Sequence, residues 1–214
     1  SVINFQTLRT TPGNDLPYLL FLPTYTATAY YHEKLQPRLL EQSLQDILDE
    51  VEHFCTIDYN TALFQGNEIN DAIRMRTTLG LMKYTGLSKS YIEDEQLRIS
   101  RHHFRKQLLK DSALVVGRFD SRYKMKDLFV NKERQEFDPS FQPAAHGVFS
   151  TCINDYLTKE LDFHTHIPYE VLTGRVHPWS YNSHNQFLDV SEHVRRSMMK
   201  NPYMKVWIAS GYYD

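Results

Sequence analysis

Two short strand-like runs lie near the two ends of this sequence, and the sequence between them is mainly helical in pattern. The first run covers residues 2–5 and the second covers residues 204–209. Two parallel strands need a crossover connection, and here that crossover would contain nearly the whole chain. The pattern therefore predicts an α/β fold in which a mainly helical insertion separates two terminal parallel strands, the remnants of a larger core sheet.

The strongest helical pattern covers residues 39–64, where apolar residues recur at helical spacing. Gly66-Asn67 interrupts it, and Asn67 is the predicted N-cap of a second helix that stops at Gly86. The remaining helices are predicted at residues 26–35, 88–95, 101–110, 144–161 and 187–200.

Extended structure is predicted at three further places. Residues 114–116 are the best internal strand, which is expected to continue as an extended segment through residue 123. Residues 169–172 are expected to be short and extended, whereas Asn201-Pro202 ends the last helix. Residues 124–143 are polar and loop-like in pattern.

Composition excludes several classes of protein. The chain has 214 residues, 41% of them hydrophobic, so it can bury a sizeable core and is too apolar for a disordered chain. Its 24 Lys and Arg against 26 Asp and Glu give a net charge of -2, so we expect no nucleic-acid partner. No apolar run approaches the roughly 20 residues that span a bilayer, so we expect no membrane partner.

The two cysteines are too few for a disulfide scaffold or a four-cysteine zinc site. Cys55 and Cys152 both lie on apolar helical stretches, where a buried thiol is the commoner arrangement. A disulfide between them stays open.

Five segments of the sequence together resemble one protein family. They are residues 14–32 (NDLPYLLFLPTYTATAYYH), 84–88 (YTGLS), 116–122 (VGRFDSR), 168–172 (PYEVL) and 209–214 (ASGYYD). They occur in order along essentially the whole chain, and in that combination they resemble the bacterial branch of the serine carboxypeptidases. The resemblance implies an α/β-hydrolase fragment, with residues 1–8 as a core-strand remnant, residues 9–186 as a helical cap and residues 187–214 as a core helix and strand.

The resemblance also implies a Ser, Asp, His triad in that chain order. The closing Gly211-Tyr212-Tyr213-Asp214 is similar to the family's Gly-x-x-Asp, which makes Asp214 the triad acid that orients the histidine. Tyr212 stands where the family usually has a first Asp, which fits the bacterial branch better than the eukaryotic members. No Gly-x-Ser-x-Gly occurs in the sequence, so the nucleophile is expected upstream and the histidine downstream.

The parent enzyme would release a C-terminal amino acid from a peptide substrate through an acyl-serine intermediate, without cofactor or metal. This chain alone is predicted to be inactive. It is also expected to dimerise through its unpaired strand edges.

Several side chains are candidates for the substrate cleft. Arg118 and Arg122 would share one face of an extended segment with Asp120, either as a charged wall for a carboxylate or as a structural ion-pair network, which we favour. Tyr30, Tyr31 and Trp179 belong to an aromatic group that could line a pocket or pack in the core. That group also contains Tyr25 and Tyr181.

The histidines do not favour a metal site. His164 and His166 could point to one face of a strand, but no Cys or carboxylate pair accompanies them. His102 and His103 are adjacent, so on a helix they diverge.

Two other functions stay open from the sequence. One is a stand-alone helical binding or regulatory module without catalysis. The other is an esterase or acyltransferase on the same hydrolase fold.

Overall fold

The structure is a computed structural model that describes residues 3–181 and 183–214. Helices account for 51% of the chain, which confirms the mainly helical prediction. The α-helices of the described residues are α1 (Leu16–Tyr31), α2 (Pro37–Leu40), α3 (Leu44–Phe54), α4 (Asn60–Gln65), α5 (Asp71–Thr85), α6 (Lys89–Asp94), α7 (Arg101–Gln107), α8 (Gly147–Lys159) and α9 (Ser191–Lys200). Two strands, β1 (Leu114–Val116) and β2 (Lys124–Lys126), form an antiparallel hairpin.

Helix α1 is the centre of the core, and it packs against both α3 and α5. It is apolar around most of its circumference, as expected for a helix buried on several sides. Its buried threonines are satisfied locally, since Thr26 Oγ1 donates to the Leu22 carbonyl at 3.0 Å. The helix begins ten residues before the predicted residue 26, and it runs through Pro23. Packing on both flanks offsets the backbone hydrogen bond that this proline cannot donate.

Helices α3 and α4 are joined without a break by a π-helical turn, Cys55–Tyr59, which confirms a continuous helix over most of the predicted 39–64. Ser43 caps α3, because its Oγ accepts the Asp46 backbone N–H at 3.2 Å. The buried stripe of α3 has helical spacing and comprises Ile47, Leu48, Val51 and Phe54.

Helix α5 begins three residues later than predicted. Its N-cap is Asn70, whose Oδ1 accepts the Ile73 N–H at 2.9 Å, whereas Asn67 lies in a preceding 3₁₀ turn, Gly66–Glu68. Its end at Gly86 is confirmed, and there the glycine is left-handed with φ +68°. A Cβ on Gly86 would lie 2.5 Å from the Lys34 carbonyl oxygen, so the turn requires a glycine both for φ and for space.

Helix α7 contacts β1 and connects the hairpin to the helical core. Lys106 on α7 is buried and forms an ion pair with the buried carboxylate of Asp127, just after β2. The β1 prediction is confirmed, but residues 117–123 form the hairpin turn instead of continuing as an extended segment. Gly117 N donates to the Tyr123 carbonyl at 2.9 Å and closes that turn.

The predicted terminal parallel strands are wrong for the described residues. Phe5–Thr7 is a 3₁₀ turn capped by Asn4, and Asn4 forms a single antiparallel bridge with Asp189. Residues 204–209 form no strand, and Trp207 is 86% exposed. A strand is stable only when a neighbour pairs with its backbone, and the described part of the chain provides no neighbour for this segment. Residues 1 and 2 of the predicted first strand lie outside the described residues.

The C-terminal third is less buried than the core. Helices α8 and α9 lie within the predicted helical ranges, and α9 ends at Lys200 before Asn201-Pro202, as predicted. Residues 169–172 form no strand, and the last two of them lie in a bend. No helix in the described ranges is long and apolar enough to cross a bilayer.

Candidate functional site

The hairpin turn between β1 and β2 brings the cleft candidate Arg122 against the last residues of the chain. We call residues 210–214 the closing segment. Ser121, next to Arg122, is buried, and its backbone N–H donates to the Tyr213 carbonyl oxygen at 2.8 Å. This bond fixes the closing segment to the hairpin turn at the residue directly before Asp214.

Ser121 is itself held by Thr28 on α1 and by His32, the residue that follows α1. Its hydroxyl lies 2.6 Å from Thr28 Oγ1, and Thr28 in turn donates to the Thr24 carbonyl at 2.8 Å. The His32 Nε2–H donates to the Ser121 carbonyl oxygen at 2.8 Å. Burial lowers the pKa of His32 below its ordinary value, which favours the neutral ring.

Two aromatic and cationic contacts complete the attachment of the closing segment. The rings of Tyr31 and Tyr213 meet edge to face with centroids 5.8 Å apart. The Arg122 guanidinium lies 5.0 Å from the centroid of the Tyr213 ring. It donates hydrogen bonds to the Asp120 carboxylate from Nε, at 2.9 and 3.2 Å, and from Nη2, at 2.6 Å. Arg122 lowers the pKa of Asp120, so both groups stay charged at neutral pH.

Asp214 lies in an exposed turn at the end of this segment. Its backbone N–H is directed at the Gly211 carbonyl at 3.4 Å, and its carboxylate makes no ion pair within the described residues. The Tyr212 hydroxyl donates to Gln45 Oε1 on α3 at 3.1 Å. The carboxylate is therefore accessible, while the two residues before it are anchored to the helical body.

The predicted cleft residues do not form one wall. Tyr31 and Arg122 meet at the closing segment, whereas the Tyr30 hydroxyl donates to the Gln42 carbonyl at 3.1 Å. Arg118 and Arg122 do not share a face, because the segment is a turn, and the Arg118 guanidinium lies 4.3 Å from the Phe119 ring centroid instead. Trp179 is 59% exposed.

The rest of the predicted aromatic group is divided between the core and the surface. Tyr25 is core and stacks on Phe104 with centroids 4.1 Å apart, whereas Tyr181 meets Phe5 at 5.0 Å. The structural interpretation of Asp120 and Arg122 as an ion pair agrees with their geometry.

A second feature, which the sequence did not indicate, is a cavity of about 270 Å³ beside α7. Arg118 reaches it from the hairpin turn, and Arg105 and His102 reach it from α7. The basic run at residues 101–106 was the available signal, but its partners Arg134 and Asp138 are distant in sequence. We call this feature the arginine cavity.

The cysteines and the surface histidines form no metal or disulfide site. Both cysteines are free; Cys55 is buried, and burial raises the pKa of its thiol to about 12, whereas Cys152 is exposed rather than buried. His164 contacts Asp162 at 3.0 Å. Within residues 3–181 and 183–214, no three His, Cys, Asp or Glu side chains are arranged to hold a metal ion.

Comparison with protein-family models, with curated proteins and with solved structures found no match to this chain.

Proposed function

We propose that this chain is the cap-containing part of a serine carboxypeptidase-like hydrolase, in which Asp214 is the triad acid. The observation that supports the proposal most is the attachment of the closing segment. Tyr31 and Ser121, both within segments that resemble the family, hold Tyr213 next to Asp214.

In the proposed reaction, Asp214 would accept a hydrogen bond from the catalytic histidine and fix its tautomer. It would also stabilise the imidazolium that forms when the histidine takes the serine proton. The exposed carboxylate of Asp214 leaves room for such a partner, since no basic side chain of the described residues pairs with it. The nucleophilic serine would attack the peptide carbonyl and release the C-terminal amino acid, and water would then hydrolyse the acyl-serine.

The first test is to read the coding sequence on both sides of this segment. A Gly-x-Ser-x-Gly upstream and a histidine downstream would support the triad. A gene that encodes neither would overturn it.

The second test is Asp214→Asn in the protein that contains both flanking parts. Because the amide cannot hold the required histidine tautomer, we expect kcat for release of an amino acid from a blocked dipeptide to fall about 10⁴-fold. Asp94→Asn, which changes an exposed carboxylate on α6, should leave kcat unchanged. An Asp214→Asn protein with wild-type kcat would contradict the proposed role.

The same assays separate hydrolase activities on one fold. A carboxypeptidase releases the amino acid from the blocked dipeptide, an esterase acts only on the corresponding ester, and an acyltransferase passes the acyl group to an added amine. Loss of each activity in Asp214→Asn would link it to the triad.

A binding module is the second candidate, and the arginine cavity favours it. This cavity lies within the described chain and does not require a serine nucleophile or a histidine from elsewhere. Binding without turnover in the longer protein would support this alternative.

A further inference from the structure

The arginine cavity combines an excess of positive charge with apolar walls. Its polar lining includes His102, Arg105, Arg118 and Arg134, together with the carboxylates of Glu136 and Asp138. Phe119, Phe137, Phe141 and Leu172 provide the apolar surface. With about 270 Å³, it is near the lower limit of pockets that hold small organic molecules.

Asp138 is already fully engaged by protein groups. It accepts from Arg105 Nη1 at 3.0 Å, from the Arg118 backbone N–H at 3.0 Å, and from the Ser140 N–H at 2.9 Å. The Ser140 hydroxyl also donates to it. This one carboxylate therefore neutralises the buried Arg105 and has no capacity left for a second guanidinium.

The other arginine side chains are not neutralised within the described residues. Arg118 and Arg134 form no ion pair there, and Glu136, the other acidic residue of the lining, faces Lys132 at 3.6 Å. Arg101 adds a further positive charge close to Arg118. The cavity thus has cationic groups without anionic partners, and guanidinium groups bind carboxylates through two parallel hydrogen bonds.

Gln135 supplies a separate indication of a ligand. Its Oε1 and Nε2 are both buried, and neither has a hydrogen-bond partner in the described chain. Buried amides are almost always hydrogen-bonded, and this amide lies in the lining of the cavity. A polar ligand in the cavity would satisfy it.

His102 reports the positive potential of this region. Its pKa is lowered to about 4, first by burial and then by Arg105, Arg101, Arg134 and Arg118. Arg105 Nη2 donates to His102 Nδ1 at 3.1 Å, so the neutral ring has its proton on Nε2. Asp138 and Glu136 are the acidic groups of the same lining.

We propose that the arginine cavity binds a small organic anion in which one carboxylate is joined to an apolar group. Arg118 and Arg134 contact the carboxylate, Gln135 hydrogen-bonds to the polar part, and the phenylalanine rings and Leu172 pack on the apolar group. A dianion such as phosphate fits less well, because Asp138 lies in the lining and the walls are largely apolar. The proposal concerns binding by this chain and does not depend on a catalytic triad.

The test is calorimetric titration of the 214-residue chain with N-acetyl-L-phenylalanine, which has one carboxylate and one aromatic ring. We expect saturable binding that is weakened at least tenfold by Arg134→Gln and by Arg118→Gln, since each substitution removes one guanidinium contact. Arg76→Gln, on the distant helix α5, is the matched control and should bind like wild type.

Two ligand controls test the two halves of the proposal. N-acetyl-L-phenylalanine amide lacks the charge, and inorganic phosphate lacks the apolar group, so both should bind at least tenfold more weakly. Equal binding of the amide would overturn the anion site, and equal or tighter binding of phosphate would overturn the requirement for an apolar group. Absence of saturable binding of the acid would overturn the proposal entirely.

Two further measurements distinguish binding from misfolding. Gln135→Leu removes an unsatisfied buried amide, so it should keep or raise the melting temperature while it weakens binding. The pKa of His102, followed by NMR, should rise when the acid binds, because the anion offsets the arginine charges. Weaker binding only in variants with a lowered melting temperature, with an unchanged His102 pKa, would assign these residues a structural role.

Discussion

The backbone N–H of Ser121 donates a 2.8 Å hydrogen bond to the carbonyl oxygen of Tyr213, and this bond links the hairpin turn to the closing segment. Tyr31 and Arg122 both contact the ring of the same tyrosine. The centroids of the Tyr31 and Tyr213 rings are 5.8 Å apart, and the Arg122 guanidinium lies 5.0 Å from the Tyr213 centroid. The position of Asp214 therefore depends on these contacts from α1 and the hairpin and on the hydrogen bond from Tyr212 to Gln45 on α3.

Removal of the Tyr31 ring should loosen the closing segment. An aromatic pair contributes about 0.5–1.5 kcal/mol beyond its buried area, so Tyr31→Ala should raise the exchange rate of the Ser121 amide roughly threefold to tenfold. Hydrogen–deuterium exchange measures this rate. Tyr30→Phe, which removes only the hydrogen bond to Gln42, should leave it unchanged, and equal rates in wild type and Tyr31→Ala would show that the ring contact does not hold the segment.

His103 should make stability depend on pH. Its ring lies 2.9 Å from the Glu95 carboxylate and 3.2 Å from that of Glu133. Burial alone would lower its pKa, but the two carboxylates raise it above the ordinary value. The protonated ring therefore adds stability below about pH 6.5, and this contribution is lost as the pH rises through the folded-state pKa.

His103→Gln should remove about 0.5–1 kcal/mol at pH 5.5, since Glu133 is largely exposed, and almost nothing at pH 8.5. Urea unfolding at both pH values measures the difference. His53→Gln, an exposed histidine on α3, is the control. An equal loss at both pH values would mean that His103 acts through packing alone.

His102 should act in the opposite direction. Its folded-state pKa is lowered to about 4, so the folded protein resists protonation of this ring. The contribution of the neutral ring to the free energy of unfolding is therefore complete above pH 6.5 and is lost as the pH falls from 6.5 toward 4. His102→Gln should therefore flatten the loss of stability between pH 6.5 and 4.5 in urea unfolding. A variant as acid-sensitive as wild type would show that another group controls that range.

The end of α5 should tolerate no side chain. Gly86→Ala combines a left-handed φ with a Cβ 2.5 Å from the Lys34 carbonyl oxygen, so we expect a loss of about 2 kcal/mol or more. Gly13→Ala also has a positive φ, of +80°, but nothing lies within 4 Å of the new Cβ, so only the smaller conformational cost of about 1 kcal/mol applies. Thermal unfolding compares the two, and an equal loss would mean that the Lys34 turn moves aside.

The exposed apolar residues before the closing segment should cause self-association. Tyr203, Trp207 and Ile208 are 92%, 86% and 67% exposed, and contiguous apolar surface is a typical site of association. We expect the apparent mass by light scattering to rise with protein concentration and Trp207→Glu to suppress the rise. Phe64→Glu, at an equally exposed aromatic residue on α4, should not, and a chain that stays monomeric at high concentration would contradict this prediction.

The sequence predicted helices well where local signals set their ends. Helix α5 ends at Gly86, α6 is capped by Ser88, and α9 ends before Asn201-Pro202, in agreement with the residue types at these positions. The prediction of Asn67 as the N-cap of α5 was wrong. Asn70, three residues later, has the same side chain and caps the helix instead. The part of α1 before residue 26, which contains Pro23, was not predicted. A proline inside a helix is unfavourable, and the packing that offsets it here cannot be recognised from the local sequence.

Strands and sites depend on partners that are distant in sequence, and there the sequence was less informative. Residues 204–209 have a strand pattern, but pairing and not propensity makes a strand. Arg118 and Arg122 were predicted to share one face of an extended segment, but the segment is a turn, so Arg122 lies at the closing segment and Arg118 at the arginine cavity. The arginine cavity could not be predicted, because Arg105, Arg118 and Arg134 come together only through tertiary structure.

The π-helical turn at Cys55–Tyr59 determines where this segment can change length in evolution. The turn takes up one extra residue locally, so loss of that residue would restore regular α-helical hydrogen bonding and leave α4 almost in place. Deletion of one residue from the regular helix α3 would instead rotate every residue beyond it by about 100°. The Tyr59 hydroxyl would then lose its hydrogen bond to the Leu97 carbonyl, and buried Ala62 and Leu63 would leave the core. Substitutions can accumulate along this helix, but outside the π turn its length is fixed by the surfaces on which its two halves pack.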